Sequence, residues 1–438
     1  MDFKEKLISS FMVFEQDIDL SNSVHEIRSK SLKNFEEKGF PNKKEEAWKY
    51  TSLSKILKSD YGIFPKKEVA IELKDVQKYF LYETDTYKIV FIDGVYSPFL
   101  SDTTHEGLDV CLLSAALTKP KYKNLINKYF DKVSDKKDSL TLLNTSFSIE
   151  GAYIYLPKSV TAEKPIEIMH FSTGKQGNFF LQPRNLIIVE ENAEVQILER
   201  HQSLSNHKSF TNSVTEIYAE DSSRIDYYKI QNDREGAYLI DNTYISQNTK
   251  SKVDVHTFSF GGEITRNNLN FYQNGENCNS TLNGLTIING NQHVDHYTLV
   301  SHAHPNCESH QEYKGIFSDR SIGVFNGKIL VDKIAQKTNA FQQNNNIVID
   351  DRATVNTKPQ LEIFADDVKC SHGCTIGQLD EEALFYLRTR GIPINEARGL
   401  LTYAFANNVL DSVKIPKLKS RINQIISSKL KVKIRHEL

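Results

Sequence analysis

Cysteine is scarce in this chain, and long apolar runs are missing. Five cysteines, Cys111, Cys278, Cys307, Cys370 and Cys374, are spread over 438 residues. An odd number at irregular spacing is no disulfide framework, so reduced thiols in a cytoplasmic setting are expected. No apolar run approaches the roughly 18 residues that a spanning helix needs, so no membrane helix is expected. The opening MDFKEKLISSFMVFEQDIDL lacks the basic start and apolar stretch of a signal peptide. An excess of charge is missing too. Lys and Arg number 54 against 56 Asp and Glu, for a net charge of −2. Neither nucleic acid nor an anionic membrane finds an electrostatic handle there. A phosphate loop is also absent. GVFNGK at 323–328 has three residues between its glycines rather than four, and Ile329 stands where Ser or Thr would hold magnesium. There is no G-x-S-x-G elbow and no G-x-G-x-x-G fingerprint. Neither ATP hydrolysis by this chain nor a Rossmann dinucleotide site is expected.

What is present is a globular composition, 39% hydrophobic and 25% charged, in a length that suits two or three domains. Residues 1–60 read as helical. SVHEIRSKSLKNFEEKG carries helix formers and apolar residues at helical spacing, with Gly39 as a stop. The only tryptophan, Trp48, follows in PNKKEEAWKYTSL. Trp48 and Tyr50 are expected to anchor this segment on the next domain.

From about 90 to 375 the pattern becomes short runs of β-branched and aromatic residues, such as NLIIVEENAEVQIL, KVDVHTFSF and NNNIVIDDRATV. A sandwich, a barrel or a β-helix could produce it. Many short strands, a long β region and Asn-rich turns (NNLNFYQNGENCNSTLNG, FQQNNN) favour the β-helix, while the lack of a strict repeat weighs against it. After 379 the pattern is helical again. Asp380 is an N-cap with Glu381 and Glu382 behind it, and EEALFYLRTR stops at Gly391. NEARGLLTYAFANNVL offers Leu400, Leu401, Ala404, Phe405 and Leu410 as an apolar face. KLKSRINQIISSKLKVKI is a third, basic amphipathic helix. These shifts divide the chain into a mainly helical region 1–90, a β core 91–378 and a helical region 379–438.

Two stretches hold metal-ligand chemistry. HVDHYTLVSHAHPNCESH (293–310) contains His302-x-His304-x-x-x-Glu308, with Gly315 beyond, which matches the first metal motif of cupin barrels. His302 and His304 are expected on one face of a strand. A metal-dependent cupin-type enzyme is therefore the rival reading. KCSHGCT (369–375) follows the strand-like QLEIFADDV, and a continuing strand puts Cys370, His372 and Cys374 on one face. Thiolate and imidazole suit iron or zinc. Three ligands leave a tetrahedral site open, to be completed by a partner. The plain alternative is a small core cysteine beside an exposed histidine. A carbohydrate-active β-helix would need convergent carboxylates. Asp350–Asp351 and Asp366–Asp367 are adjacent pairs that point to opposite faces of a strand.

TKPQLEIFADDVKCSHGCTIGQLDEEALFYLRTRGI (357–392) resembles the C-terminal signature of the SufB/SufD family of iron–sulfur cluster assembly proteins. HVDHYT…SHAHPNCESHQEYKGIF, NAFQQNNNIVID and PNKKEEAWKYTSL resemble it too, and the chain is most like the SufD branch. The resemblance implies a right-handed parallel β-helix core flanked by N-terminal and C-terminal helical regions. It implies a non-catalytic scaffold that pairs with a SufB paralogue and docks a SufC-type ABC ATPase through its C-terminal helices. Asn395, Arg398, Leu401 and Phe405 are the candidate contacts there. His372 and Cys370 match the family's interface residues, and Cys374 stands where the family has a small residue. No cofactor is expected to be tight on the isolated chain. A transient iron–sulfur cluster belongs to the complex, which leaves room for a flavin, and a homodimer is expected to be open to the isolated chain.

Overall fold

The computed structural model describes residues 2–16, 23–63, 69–81, 84–103, 107–133, 138–148 and 150–432. Lys433 and Ile434, the end of the expected third C-terminal helix, lie outside them. From Arg184 onward, successive strands alternate between two parallel sheets. One sheet ends with Asn279–Ile288, Glu308–Phe317, Asn339–Val348 and Lys369–Gly377. The other ends with Ile264–Gln273, His293–His302, Ile322–Val331 and Thr354–Ile363. Each strand pairs with the strand two further along: Asn279 faces Glu308, Glu308 faces Asn339 and Asn339 faces Lys369. The chain thus winds as a parallel β-solenoid of about 8 turns. This removes the sandwich and the barrel, and with them the cupin reading.

The repeat that the letters hide is one of backbone conformation. Asn192, Ser222, Lys250, Asn277, Asn306 and Lys337 each take positive φ at a corner. Each N–H donates to a carbonyl of the next coil: Asn192 to Asp221, Ser222 to Thr249, Lys250 to Glu276, Asn277 to Pro305, Asn306 to Gln336, Lys337 to Asp367. The ladder therefore continues through the bend. Asn tolerates this left-handed geometry, and the ladder holds Ser and Lys in it. The Asn-rich segments are a correction. They were expected in turns, yet much of NNLNFYQ and FQQNNN lies in strands Ile264–Gln273 and Asn339–Val348. Their amides bond within and between coils: Gln342 Nε2 donates to Gln311 Oε1 at 2.8 Å, Asn346 Nδ2 to Asn344 Oδ1 at 2.7 Å, and Asn268 Nδ2 to Asn242 Oδ1 at 2.6 Å. Those side-chain bonds outweigh the poor strand propensity of Asn.

Both outer sheet faces are covered by helices, so central strands are buried on both sides. Ala237–Gln247 is buried at all but one position. Phe3, Leu7, Phe11 and Phe14 of helix Phe3–Gln16 share a core with Phe210, Tyr238 and Ile240. Across the molecule, Leu418, Ile422 and Ile426 of helix Pro416–Leu430 pack with Tyr228, Ile230 and Phe258. The expected caps are present. Asp380 accepts from the Glu382 and Ala383 N–H groups at 2.9 and 3.2 Å, and Gly39, at φ 70°, donates to Phe35 O. The apolar face expected of NEARGLLTYAFANNVL is rotated. Ala397, Gly399, Thr402 and Ala406 are the buried residues of helix Ile394–Asn407; of the expected face Leu410 is buried, Leu400, Leu401 and Phe405 are half-buried and Ala404 is exposed. Part of the stretch read as β is instead helical: between Asp109–Leu112 and Ala152–Leu156 the described residues hold the α-helices Leu113–Thr118, Lys123–Tyr129 and Ser139–Ser146. Elements of eight residues or fewer complete too few turns to show a period.

Trp48 is buried and Tyr50 is exposed, so the anchor is the tryptophan alone. The Arg266 guanidinium lies 4.0 Å over the Trp48 ring and forms a buried ion pair with Asp295. Thr51 hydroxyl also donates to Asp295. Asp295→Ala strands the Arg266 charge, and a loss of about 3–5 kcal/mol is expected. Urea unfolding read from Trp48 fluorescence checks this; an unmoved midpoint would contradict it. Burial also lowers His256 and His296 from 6.5 to about 4. The folded state resists protonation that the unfolded chain accepts, so stability is full above pH 6.5 and is lost as pH falls toward 4. Each histidine contributes about 3 kcal/mol to that loss. The urea midpoint should fall over this window, and His296→Asn should flatten the slope; an identical slope in the variant would refute its part.

Candidate functional site

The two ends of the solenoid differ. At the first end each sheet closes on a short antiparallel strand, Val95–Tyr96 on Tyr87–Ile92 and Asp109–Leu112 on Ala152–Leu156. Such strands blunt an edge. At the last end, Thr354–Ile363 and Lys369–Gly377 are long strands each paired in its sheet on one side only, among the described residues. Pro359 sits in the first of these, as an edge strand allows.

KCSHGCT is that final strand. Cys370, His372 and Cys374 stand in register with Ala340, Gln342 and Asn344, all buried residues of the previous coil. The three thus occupy inward positions. Among the described residues no further coil covers them; His372 and Cys374 are exposed and Cys370 is half-buried. Ile376 on the same face is 50% exposed, and Ile363 and Phe364 at the end of the opposing strand are 37% and 62% exposed. Together they form an uncovered rim of soft donors and apolar side chains.

Cys370 packs against a small cluster of Ile329, Val331, Ala335, Ala340 and Ala365, and burial pushes its thiol up. Beneath His372, the Oε1 of buried Gln342 has no hydrogen-bond partner. Cys370, His372 and Cys374 do not form a converged set of metal-ligand atoms among the described residues. Each can supply a ligand to a site shared with a facing surface.

The histidines at 293–310 do not assemble as a cupin motif would. Strand His293–His302 ends at His302, His304 lies in the turn, and Glu308 is exposed on the next strand. The sharp corner of the solenoid interrupts the expected alternation. His302 is an interior group 3.0 Å from Ser309 Oγ, and His296 contacts Thr286 Oγ1 at 2.8 Å. Two groupings escaped the sequence reading because their members lie one coil apart. Cys278 and Cys307 meet in the interior. A hydrogen bond from the Cys278 thiol, with His302 nearby, lowers Cys307 to about 5, while Cys278 is pushed up. His170, Glu199 and His201 form the other, the only trio of convergent metal-ligand atoms among the described residues. The Glu199-x-His201 alternation was a visible signal; its partner on another strand was not.

Of the candidate helix residues, Asn395 and Arg398 are exposed and Leu401 is half-buried. Phe405 packs on the solenoid core, where Lys314 Nζ donates to its carbonyl at 3.3 Å.

Residues 170–405 match the family described as SUF system FeS cluster assembly, SufBD core domain, and residues 1–168 match the SufBD protein N-terminal region. An iron–sulfur cluster assembly SufBD family protein of Synechocystis is 32% identical over 402 residues, 88% of this chain and 87% of that protein. The iron–sulfur cluster assembly protein SufD of Escherichia coli is 32% identical over 397 residues, 90% of each chain. SufD of Bacillus subtilis is 27% identical over 321 residues, 71% of this chain and 72% of that one. The chain therefore belongs to the SufBD family, whose members are involved in iron–sulfur cluster assembly.

Access, more than thiolate character, sets cysteine reactivity at this site. Cys374 should be alkylated first and Cys370 more slowly. Cys278 and Cys307, at 1% and 0% exposure, should react only on unfolding, despite the low value of Cys307. Mass spectrometry after timed iodoacetamide treatment checks this; labelling of Cys307 in the folded protein ahead of Cys374 would refute it.

Proposed function

We propose that this chain is a non-catalytic scaffold subunit of a cytoplasmic SUF complex, paired with a SufB-like paralogue through the uncovered end of its solenoid. The observation that supports this reading is the bare rim itself. Unpaired backbone groups on two long edge strands offer a second solenoid a continuation of both ladders. Cys370, His372 and Cys374 then face that partner's donors across the joint. A nascent cluster, the cargo of the assembly, is held by ligands from both chains. An imidazole among thiolates and a site divided between subunits both favour release when the subunits move.

The ATPase in this reading is a separate, SufC-like subunit, since no phosphate loop is present in the sequence. Its docking surface is the C-terminal helical region. Phe385 and Tyr386 on helix Glu381–Thr389 are 68% and 57% exposed, and Asn395 and Arg398 lie open on the following helix. Phe405, packed on its own solenoid, is left out of that surface.

The test is reconstitution with the cognate SufB-like and SufC-like subunits, followed by iron and acid-labile sulfide analysis. His372→Ala should lower both severalfold while the three subunits still co-purify. Equal yields from wild type and variant would remove His372 from the assembly site and leave the ligands to the partner.

A further inference from the structure

We infer that His170, Glu199 and His201 form a second, internal metal site in this chain, suited to a divalent first-row transition ion. Strands Ile166–Ser172 and Glu194–Ser203 are adjacent, and His170 lies opposite His201. The two imidazoles stack with centroids 4.6 Å apart, and Phe91 stacks on His170 at 5.1 Å. Glu199 precedes His201 by two positions, so it projects from the same face.

The Nε2 atoms of His170 and His201 lie 3.4 and 3.5 Å from Glu199 Oε1. Neither makes a hydrogen bond, although both are buried. The three ligand atoms fall within 4.8 Å of one another. A tetrahedral ion with bonds of about 2.1 Å has ligand–ligand edges of about 3.4 Å, close to the two N–O spacings here. The carboxylate is already oriented: Asn185 Nδ2 donates to Oε1 at 3.0 Å and Tyr227 hydroxyl to Oε2. Metal sites use such outer partners to fix their ligands.

The nearby Lys229 ammonium is 2.7 Å from Asp241, so its charge is matched. His170 and His201 line a cavity of about 690 Å³, together with Gln202 and Asp233. Two imidazoles and one carboxylate leave coordination positions free on that side, a pattern of exchangeable or reactive ions rather than closed structural ones. This site is independent of the rim at Cys370–Cys374.

The experiment titrates the isolated full chain with Co²⁺ and follows its visible absorption, then competes with Zn²⁺ and, anaerobically, with Fe²⁺. One Co²⁺ per chain with bands of a low-coordinate N/O site is expected. The signal should be lost in His170→Ala and Glu199→Gln and kept in a Cys370→Ser, His372→Ala, Cys374→Ser variant. Absence of binding, binding unchanged in the first two variants, or loss in the rim variant would each overturn the site. If either interior variant fails to fold, anomalous diffraction from Co²⁺-soaked wild-type crystals decides. A peak among the two Nε2 atoms and Glu199 Oε1 supports the site and its absence refutes it. Cluster yield plays no part in this readout, so it stands or falls apart from the scaffold reading.

Discussion

A coil in a parallel solenoid satisfies its backbone only through a neighbour on each side. Everything else in this structure follows from where that supply of neighbours begins and stops. At the start, two short antiparallel strands end the ladders. At the finish, among the described residues, two long strands stop with one edge each unpaired in its sheet and an interior face uncovered. The candidate residues at 370, 372 and 374 owe their exposure to this position. In any earlier coil the same inward positions are buried, as Ala340, Gln342 and Asn344 show.

Stacking in register also explains how this interior tolerates polarity. One inward column begins with Ile89 and Ile168 and continues with Glu199 and Lys229. Unpaired polar groups there would each cost a few kcal/mol. Facing strands and neighbouring coils instead bring the groups together: Lys229 with Asp241, Gln231 with Asn267, Gln342 with Gln311. The solenoid thus presents titratable groups in its core at fixed spacing, and the His170–Glu199–His201 trio is one product of that geometry. The helical regions solve a different problem. Laid along the outer faces, they turn two half-exposed sheets into buried ones. The contacts of Trp48 and Asp295 with Arg266 pin the N-terminal segment to a particular coil.

The mainly β core, its helical flanks, the cap at Asp380 and the stop at Gly39 were legible because each depends on residues close in the chain. The family signature was legible for the same reason: KCSHGCT and its surroundings form one continuous string. The common face of Cys370, His372 and Cys374 needed only the two-residue period of a strand. Cupin geometry was a false lead of the same kind. His302, His304 and Glu308 have the right spacing, but a corner falls between them.

Tertiary structure alone decided what lies next to what across coils. Cys278 meets Cys307, and His170 meets His201, because the chain returns to the same place after each turn. No local pattern reveals that return when the corners repeat a backbone conformation instead of a residue type. The buried side of helix Ile394–Asn407 was likewise set by the surface it lands on. The sequence by itself determined the kind of coil and the donors on its last strand. The structure determined that this strand is the last one, and exposure at a ladder's end is a property of the whole stack.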